Sequence, residues 1–259
     1  MDQKLNVFII QPDIVWLDIQ KNLTKYETYL KDMGREVDLI LLPEMFATGF
    51  TTDPAHLNPT DQNIVMRWMS GMAGQYNSSL AGSIPFFHEG KFFNRFLIAS
   101  PDGKFEHYDK RHLFSIGGEN KNFIPGNDRL IFESMNWKIV PLICYDLRFP
   151  VWSRNTVKFD LLIFTANWPA VRSRAWEILL CARAIENQCF VIGINRVGRD
   201  GNSIEYCGLS QVISPLGELI SGLTDQEQTV KITLNKEELD RIRNDFPVLA
   251  DADNFTIVQ

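Results

Sequence analysis

LICYDLRFP, the stretch Leu142–Pro150, is the part of the chain from which the fold and the chemistry are best argued. It closes an apolar run that begins at Trp137, which predicts a buried strand ending at Cys144. Polar and aromatic residues then lead to a turn at Pro150. A thiol on a sharp turn after a buried strand is placed as an enzyme nucleophile would be. A lone cysteine can equally be a small buried hydrophobic residue, so the rest of the chain has to decide.

Composition narrows the class of protein. The chain has 259 residues, of which 45% are hydrophobic and 22% charged, as in a soluble globular protein with a sizeable core. Its net charge of -6 argues against broad electrostatic binding to nucleic acid or to anionic membranes. The first residues have no apolar segment typical of a signal peptide, and no apolar run is long enough to span a membrane.

The four cysteines are Cys144, Cys181, Cys189 and Cys207, and they form no CxxC pair and no His/Cys cluster with zinc-like spacing. We therefore expect no metal, reduced thiols and a cytoplasmic location. The last three cysteines lie inside predicted helices or strands and are interpreted as packing residues.

The pattern of apolar residues predicts alternating strands and helices, with a hairpin turning at Glu89-Gly90 and a long loop over 111–126. One domain spanning 1–259, with a large mixed sheet covered by helices, is the simplest architecture, and the tail from about 245 looks flexible. The predicted strands cover residues 5–10, 37–42, 80–87, 91–100, 104–108, 137–143, 160–166, 189–194, 209–213, 219–221 and 228–234. The predicted helices cover residues 18–34, 63–76, 151–157, 174–187 and 236–244.

Five of these strands end in a residue that can act on a ligand. Ligands in open α/β sheets bind beyond the carboxyl ends of the strands, so parallel neighbours would bring these side chains into one crevice. The five residues are Glu44, Lys110, Cys144, Asn167 and Asn195.

Glu44 and Lys110 are the first candidates for catalytic residues that act together with the thiol. Glu44 follows a buried apolar run, so its carboxylate is expected to be partly desolvated, which suits a general base. The same sequence pattern is also compatible with an exposed acid in a loop or with a helix cap. Lys110 begins a group of basic residues near the candidate loops, which fits an anionic substrate or a developing oxyanion as well as an ordinary solvated surface. Of the four histidines only His112, next to this group, is a candidate base.

Taken together, these motifs resemble the nitrilase superfamily of carbon–nitrogen hydrolases, which uses a glutamate, a lysine and a cysteine in that chain order. The matching segments are Leu42-Pro43-Glu44, Tyr108-Asp109-Lys110-Arg111-His112-Leu113-Phe114 and Ile143–Pro150, and the second glutamate of the family falls on Glu119. Further segments look like the bacterial omega-amidase branch: Ala166-Asn167-Trp168-Pro169 with Arg172 and Trp176, Ala182–Gln188, Asn195–Gly198 and the tail Phe246–Asp253.

The resemblance implies an α/β fold built as a four-layer α-β-β-α sandwich with a large mixed sheet. It also implies a homodimer or larger assembly, in which the tail from about 245 would help at the subunit contact. It implies no cofactor, and the partners would be a small amide substrate and water.

The chemistry of amide hydrolysis assigns roles to the matched residues. Glu44 would take the proton of Cys144, whose sulfur attacks the carbonyl, while Lys110 and the backbone N–H of Tyr145 hold the oxyanion. Since a free thiol has a pKa of about 8.5, a neighbouring group has to favour the thiolate. Glu119 would orient Glu44 or the substrate amide and water.

The omega-amidase resemblance implies monoamides of short dicarboxylates, such as 2-oxoglutaramate and succinamate. The loop with Asn167 and Trp168 would bind such a substrate, and Arg172 or Arg174 would hold its distant carboxylate. Both arginines can also be ordinary surface residues. Arg148 is expected to organise the loop after Cys144 and not to touch substrate. The alternatives are an amidase of the same superfamily for carbamoyl or neutral aliphatic amides, or a non-catalytic binding member.

Overall fold

The computed structural model describes residues 3–257 and folds them into two large sheets with helices on their outer faces. The helices in this range are α1 (Ile19–Lys31), α2 (Asp61–Tyr76), α3 (Ser173–Asn187) and α4 (Lys236–Asp245). The strands are β1 (Lys4–Gln11), β2 (Leu39–Leu41), β3 (Ser79–His88), β4 (Lys91–Ala99), β5 (Phe105–Asp109), β6 (Phe132–Ser134), β7 (Trp137–Ile143), β8 (Leu161–Thr165), β9 (Phe190–Ile194), β10 (Val197–Arg199), β11 (Glu205–Cys207), β12 (Gln211–Ile213), β13 (Leu219–Gly222) and β14 (Gln228–Asn235).

Each large sheet has six strands. The first has the order β14-β1-β2-β3-β4-β5, and β1, β2 and β3 are parallel. The second has the order β13-β12-β9-β8-β7-β6, and β7, β8 and β9 are parallel. Strands β10 and β11 form a separate hairpin. The strand pattern alone predicted a large mixed sheet, and the chain forms two of them, because the apolar runs do not say which strands are neighbours.

The order of the layers follows from which faces of the sheets and helices are apolar. One cluster of buried side chains joins the facing sides of the two sheets, with Val7 and Phe96 from the first and Ile139 and Ile192 from the second. A second cluster packs the outer side of the first sheet on α1 and α2. Helix α3 covers the outer side of the second sheet through Trp176 and other apolar side chains. The four-layer α-β-β-α sandwich is thus confirmed.

Most predicted elements are present with small shifts at their ends. Asp18 caps α1 by accepting from the backbone N–H of Lys21, and the Glu89-Gly90 turn has positive φ at both residues, as a tight hairpin requires. The helix predicted over 151–157 is absent. There, Arg129 binds the backbone carbonyls of Trp152 and Arg154, and side-chain hydrogen bonds to Asn155 hold the chain in an irregular path.

None of the helices in residues 3–257 has the length and apolar character that a bilayer-spanning segment needs. The four cysteines are all free thiols.

Candidate active site

A cavity of about 360 Å³ lies where the strand ends of the two sheets meet. Four of the five strand-end residues line it, namely Glu44, Lys110, Cys144 and Asn167. The other lining residues are Phe50, Thr52, Phe114, Ile116, Gly117, Tyr145, Arg148, Trp168, Pro169, Arg172, Asp200, Asn202, Ile204 and Tyr206. Its size suits a small organic ligand.

Cys144 sits on a strained turn at the end of β7. Its φ is +42°, in the left-handed region that a side-chain-bearing residue adopts at a cost of about 1–3 kcal/mol. A 3₁₀ turn begins at Cys144 and runs to Arg148. N–H groups at the start of such a turn have no partner within it, so the N–H of Tyr145 is suited to bind an oxyanion beside the sulfur.

Asp146 holds this turn in place. Its carboxylate accepts from the N–H of Ile143 at 3.0 Å and from the hydroxyl of Tyr108 at 2.7 Å. It also lies 2.9 Å from the N–H and 2.8 Å from Nδ1 of His112, whose ring stacks on Phe149. The histidine is thus engaged in the support of the turn and does not line the cavity, so it is a poor candidate base.

Glu44 is fully buried and surrounded by N–H donors. Its Oε1 accepts from Lys110 Nζ at 2.9 Å and from Asn94 Nδ2 at 2.8 Å, and its Oε2 accepts from the N–H of Asn167 at 2.8 Å. The side-chain amide of Asn167 in turn donates to the backbone carbonyl of Glu44 at 2.6 Å. Glu44 and Cys144 line the same cavity, and their side chains interact, as those of a nucleophile and its base would.

Lys110 is held between two carboxylates with no solvent-exposed surface. Its Nζ lies 2.9 Å from Glu44 Oε1 and 2.9 Å from Glu119 Oε2. Burial by itself lowers the pKa of Lys110, but the charges of Glu119 and Glu44 outweigh burial and raise the pKa above its ordinary value. The side chain is therefore a fixed positive charge that also faces the cavity.

Glu119 supports Lys110 from the side away from the cavity. Besides Lys110, its carboxylate accepts from Asn94 Nδ2 at 2.9 Å and from the N–H of Phe114 at 2.6 Å. Burial raises the pKa of Glu119, and the charge of Lys110 opposes that rise. Glu119 does not itself line the cavity, so its contacts favour orienting Lys110 over touching an amide or water.

The environment of Cys144 favours the neutral thiol. Burial raises its pKa well above the ordinary value, the negative charge of Glu44 adds to that rise, and the charge of Lys110 opposes it. Lys110 is thus the neighbour that favours the thiolate, while burial and Glu44 favour the thiol. The arrangement suits transfer of the proton to Glu44 as the sulfur attacks.

The fifth strand-end residue, Asn195, does not line the cavity but bonds to Trp168, which does. It accepts from the N–H of Trp168 at 2.8 Å and donates to the carbonyls of Trp168 at 3.0 Å and Gly208 at 2.8 Å. The indole Nε1 of Trp168 donates to the carbonyl of Arg172 at 2.8 Å. Asn195 therefore positions the loop that carries Trp168.

Arg148 and Arg172 line the cavity, whereas Arg172 or Arg174 was expected there from the sequence. The guanidinium of Arg172 lies 5.4 Å from the ring centre of Phe114, and that of Arg148 lies 4.9 Å from the ring centre of Trp168. Arg174 is exposed and does not line the cavity; it lines a neighbouring shallow groove together with Arg148 and Arg172. Arg148, expected to organise its loop only, is thus part of the cavity wall.

Sequence reasoning missed Asn94, which donates to both glutamates. The signal for it was present: Asn94 falls on the core-facing side of β4, between Phe92 and Phe96, where an amide needs a buried partner. It also missed Asp200 and Tyr206, whose side chains bond to each other at 2.9 Å in the cavity wall. Within residues 3–257 no group of three or more His, Cys, Asp or Glu side chains is placed to hold a metal ion.

Comparisons with known proteins agree with this geometry. The family model for carbon–nitrogen hydrolase matches residues 6–244. The chain is 45% identical to omega-amidase YafV of Escherichia coli K12, over 98% of each chain. It is 31% identical to the 2-oxoglutaramate amidase of Bacillus subtilis, over 96% of this chain and 97% of that one. The crystal structure of XC1258 from Xanthomonas campestris, a CN-hydrolase superfamily protein with an arsenic adduct in its active site, is 40% identical over the whole of both chains, with a TM-score of 0.95.

Proposed function

We propose that this chain, which belongs to the carbon–nitrogen hydrolase family, releases ammonia from omega-monoamides of short dicarboxylates, with 2-oxoglutaramate and succinamate as the substrates. The observation that carries this proposal is the presence of Arg148 and Arg172 in the same cavity as Cys144 and Glu44. The names of the two curated relatives, an omega-amidase and a 2-oxoglutaramate amidase, point to the same substrates.

The first half of the reaction forms a thioester. Glu44 accepts the thiol proton as the sulfur of Cys144 attacks the amide carbonyl, and the carbonyl electrons move onto the oxygen. Lys110 and the backbone N–H of Tyr145 stabilise that negative oxygen. Glu44 then gives its proton to the nitrogen as the C–N bond breaks, so that ammonia leaves and an acyl group remains on sulfur.

The second half hydrolyses the thioester. Water takes the place of ammonia, and Glu44 accepts its proton as the oxygen attacks the acyl carbon. The tetrahedral oxygen is stabilised by the same donors, and the C–S bond breaks with return of the proton from Glu44 to the sulfur. In both halves Glu119 keeps Lys110 in place, through the contacts at 2.9 Å and 3.3 Å to its carboxylate.

The substrate carboxylate needs a cation, and Arg148 and Arg172 provide two. In the described part of the chain neither guanidinium forms an ion pair, so both are available to a ligand anion. An arginine can bind a carboxylate through two parallel N–H groups, which fixes both its distance and its orientation. We therefore assign the carboxylate to Arg148 and Arg172, and not to Arg174.

Another amidase of the superfamily, for carbamoyl or neutral aliphatic amides, is the alternative. It would use the same thiol, base and lysine, so the arginines are what distinguish the two. A non-catalytic binding protein would have no need to bury a lysine between two carboxylates beside a thiol.

The test is ammonia release from 2-oxoglutaramate, succinamate and butyramide by the native protein. Higher kcat/KM for the two acid amides supports the proposal. Equal or higher kcat/KM for butyramide contradicts the choice of substrate and leaves the neutral-amide alternative.

We further propose a single domain over 1–259, a homodimer and a cytoplasmic location. The location rests on the need of the reaction for a reduced Cys144. The dimer, with the tail from about 245 at its contact, is tested by sedimentation of the full chain and of a chain ending at Asp245. Monomeric sedimentation of the full chain contradicts it.

A further inference from the structure

Asn94 lies on β4 with no exposed surface, and its amide stands between the two glutamates of the site. Nδ2 donates to Glu44 Oε1 at 2.8 Å and to Glu119 Oε1 at 2.9 Å. An amide nitrogen carries two hydrogens, so one goes to each carboxylate. Asn94 therefore binds both glutamates at once.

Ser83 fixes which end of the Asn94 amide faces the carboxylates. The N–H of Met45 donates to Ser83 Oγ at 2.9 Å, and Ser83 Oγ donates to Asn94 Oδ1 at 2.9 Å. Since the hydroxyl has one hydrogen, Oδ1 is held towards Ser83 and Nδ2 towards the glutamates. Met45 directly follows Glu44 and has a φ of +44°, so Ser83 also holds the backbone turn that carries the base.

The donors around Glu44 leave its two oxygens unequal. Oε1 accepts from both Asn94 and Lys110, which occupy its two lone-pair directions. Oε2 accepts from the N–H of Asn167, which leaves one lone pair for a proton. Without Asn94, a lone pair on Oε1 would also be open to the proton.

We propose that Asn94, oriented by Ser83, is a positioning residue that reserves Oε1 of Glu44 as an acceptor and directs the proton of Cys144 to Oε2. The S–H bond breaks as the O–H bond on Oε2 forms, and the sulfur electron pair makes the bond to the carbonyl carbon. The same O–H bond then breaks when the proton passes to the departing nitrogen. This inference rests on the proposed role of Glu44 as the base.

The test is the pH dependence of kcat/KM in two variants, Asn94→Leu and Ser83→Ala. The first removes the donor at similar volume, and the second removes only the hydroxyl that orients it. A donor to a carboxylate favours its charged form, so losing the donor moves the acid limb of the profile to higher pH, by about one unit for Asn94→Leu and less for Ser83→Ala. We also expect kcat to fall about tenfold or more in Asn94→Leu.

A second readout needs no amide turnover. Iodoacetamide alkylates the sulfur of Cys144 with loss of iodide, and Glu44 accepts the thiol proton in that reaction too. The pH profile of the alkylation rate, followed at the Cys144 peptide by mass spectrometry, should move in the same direction as that of kcat/KM. If the native protein hydrolyses none of the amides, the proposed function has failed, and the alkylation profiles still decide the role of Asn94.

The matched control is Asn155→Leu, which removes a buried amide that bonds to Phe159 and Asn187 and does not line the cavity. Its acid limb should stay at the native pH, whatever its stability. An upward shift in Asn94→Leu and Ser83→Ala but not in this control supports the proposal. Folded variants with an unmoved acid limb overturn it, and if Asn94→Leu does not fold, Ser83→Ala decides alone.

Discussion

Lys110 Nζ lies 2.9 Å from Glu44 Oε1, and neither side chain has any solvent-exposed surface. A buried ion pair costs much desolvation and is a weak source of stability. It holds a cation and a base next to each other in the cavity that Cys144 lines, and this placement is what the site needs.

Replacing Lys110 by Met should nearly abolish turnover. Loss of one oxyanion donor typically costs about 10²–10³ in kcat, and the two carboxylates left behind would be buried without their cation. We expect kcat for succinamate to fall by at least that factor and the free energy of unfolding to fall by about 3–5 kcal/mol. Urea unfolding and steady-state kinetics measure both. Lys104→Met, which removes an exposed lysine paired with Asp102, is the control and should leave kcat unchanged. Native turnover by Lys110→Met contradicts its role.

Replacing Arg148 or Arg172 by Ala should weaken binding of acid amides selectively. A hydrogen bond to a charged group is worth about 1.5–3 kcal/mol, so KM for succinamate should rise about 10- to 100-fold, while KM for butyramide changes little. Arg174→Ala, outside the cavity, is the matched control and should behave as native. Equal effects on the acid and the neutral amide would show that the arginines only shape the wall.

Alkaline pH should destabilise the fold, because buried thiols and phenols stay protonated in the folded state. Burial raises the pKa of Cys144, Cys189, Tyr26 and Tyr108 above their ordinary values. In the unfolded chain thiols lose their protons near pH ~8.5 and phenols near pH ~10, so above these values the unfolded state binds fewer protons and unfolding becomes more favourable. Each group lowers the free energy of unfolding by about 1.4 kcal/mol per pH unit in that range.

Urea midpoints measured from about pH 7 to about pH 10.5 test this expectation. The midpoint should hold up to about pH 8 and then fall. Cys189→Ala lacks one of the four groups, so its free energy of unfolding should fall less steeply with pH than that of the native chain. An unchanged slope in this variant would mean that the thiol titrates alike in both states.

Asp146→Asn should damage both stability and turnover. All four acceptor positions of the carboxylate are in use: Oδ2 serves Tyr108 and Ile143, and both contacts of His112 are to Oδ1. An amide has only one acceptor oxygen, so its NH₂ group would face donors. We expect a loss of about 2–4 kcal/mol in unfolding free energy and a lower kcat because the Cys144 turn shifts. Thermal unfolding and kinetics measure these, and Asp102→Asn on the surface is the control. A native-like Asp146→Asn would show that the turn does not depend on this carboxylate.

The positions at which the strands end could be predicted well from the sequence. The run from Trp137 to Ile143 is β7 as predicted, because an unbroken apolar stretch ending at a polar turn has few other structures. Since the functional side chains follow directly after such runs, Glu44, Lys110, Cys144 and Asn167 could be expected to share one crevice, and the structure brings them together.

The features that could not be predicted from the sequence depend on contacts between residues that are far apart in the chain. Whether a polar residue such as Asn94 or Arg148 meets the site depends on which strands and turns become neighbours. The helix predicted over 151–157 is absent for the same reason, since the hydrogen bond that Arg129 donates and the one that Asn187 accepts outweigh local preference. Burial beside Glu44 raises the pKa of Cys144, and that burial is not visible in the sequence.

The most direct test of the central claim is to trap the acyl-enzyme. Native protein mixed with excess succinamate, quenched in acid within milliseconds and digested, should show the succinyl group on the peptide that contains Cys144, together with release of about one ammonia per chain in the first turnover. Glu44→Gln should form this adduct far more slowly. Absence of the adduct in native protein that releases ammonia, or full ammonia release by Cys144→Ala, would contradict the claim that this thiol is the nucleophile.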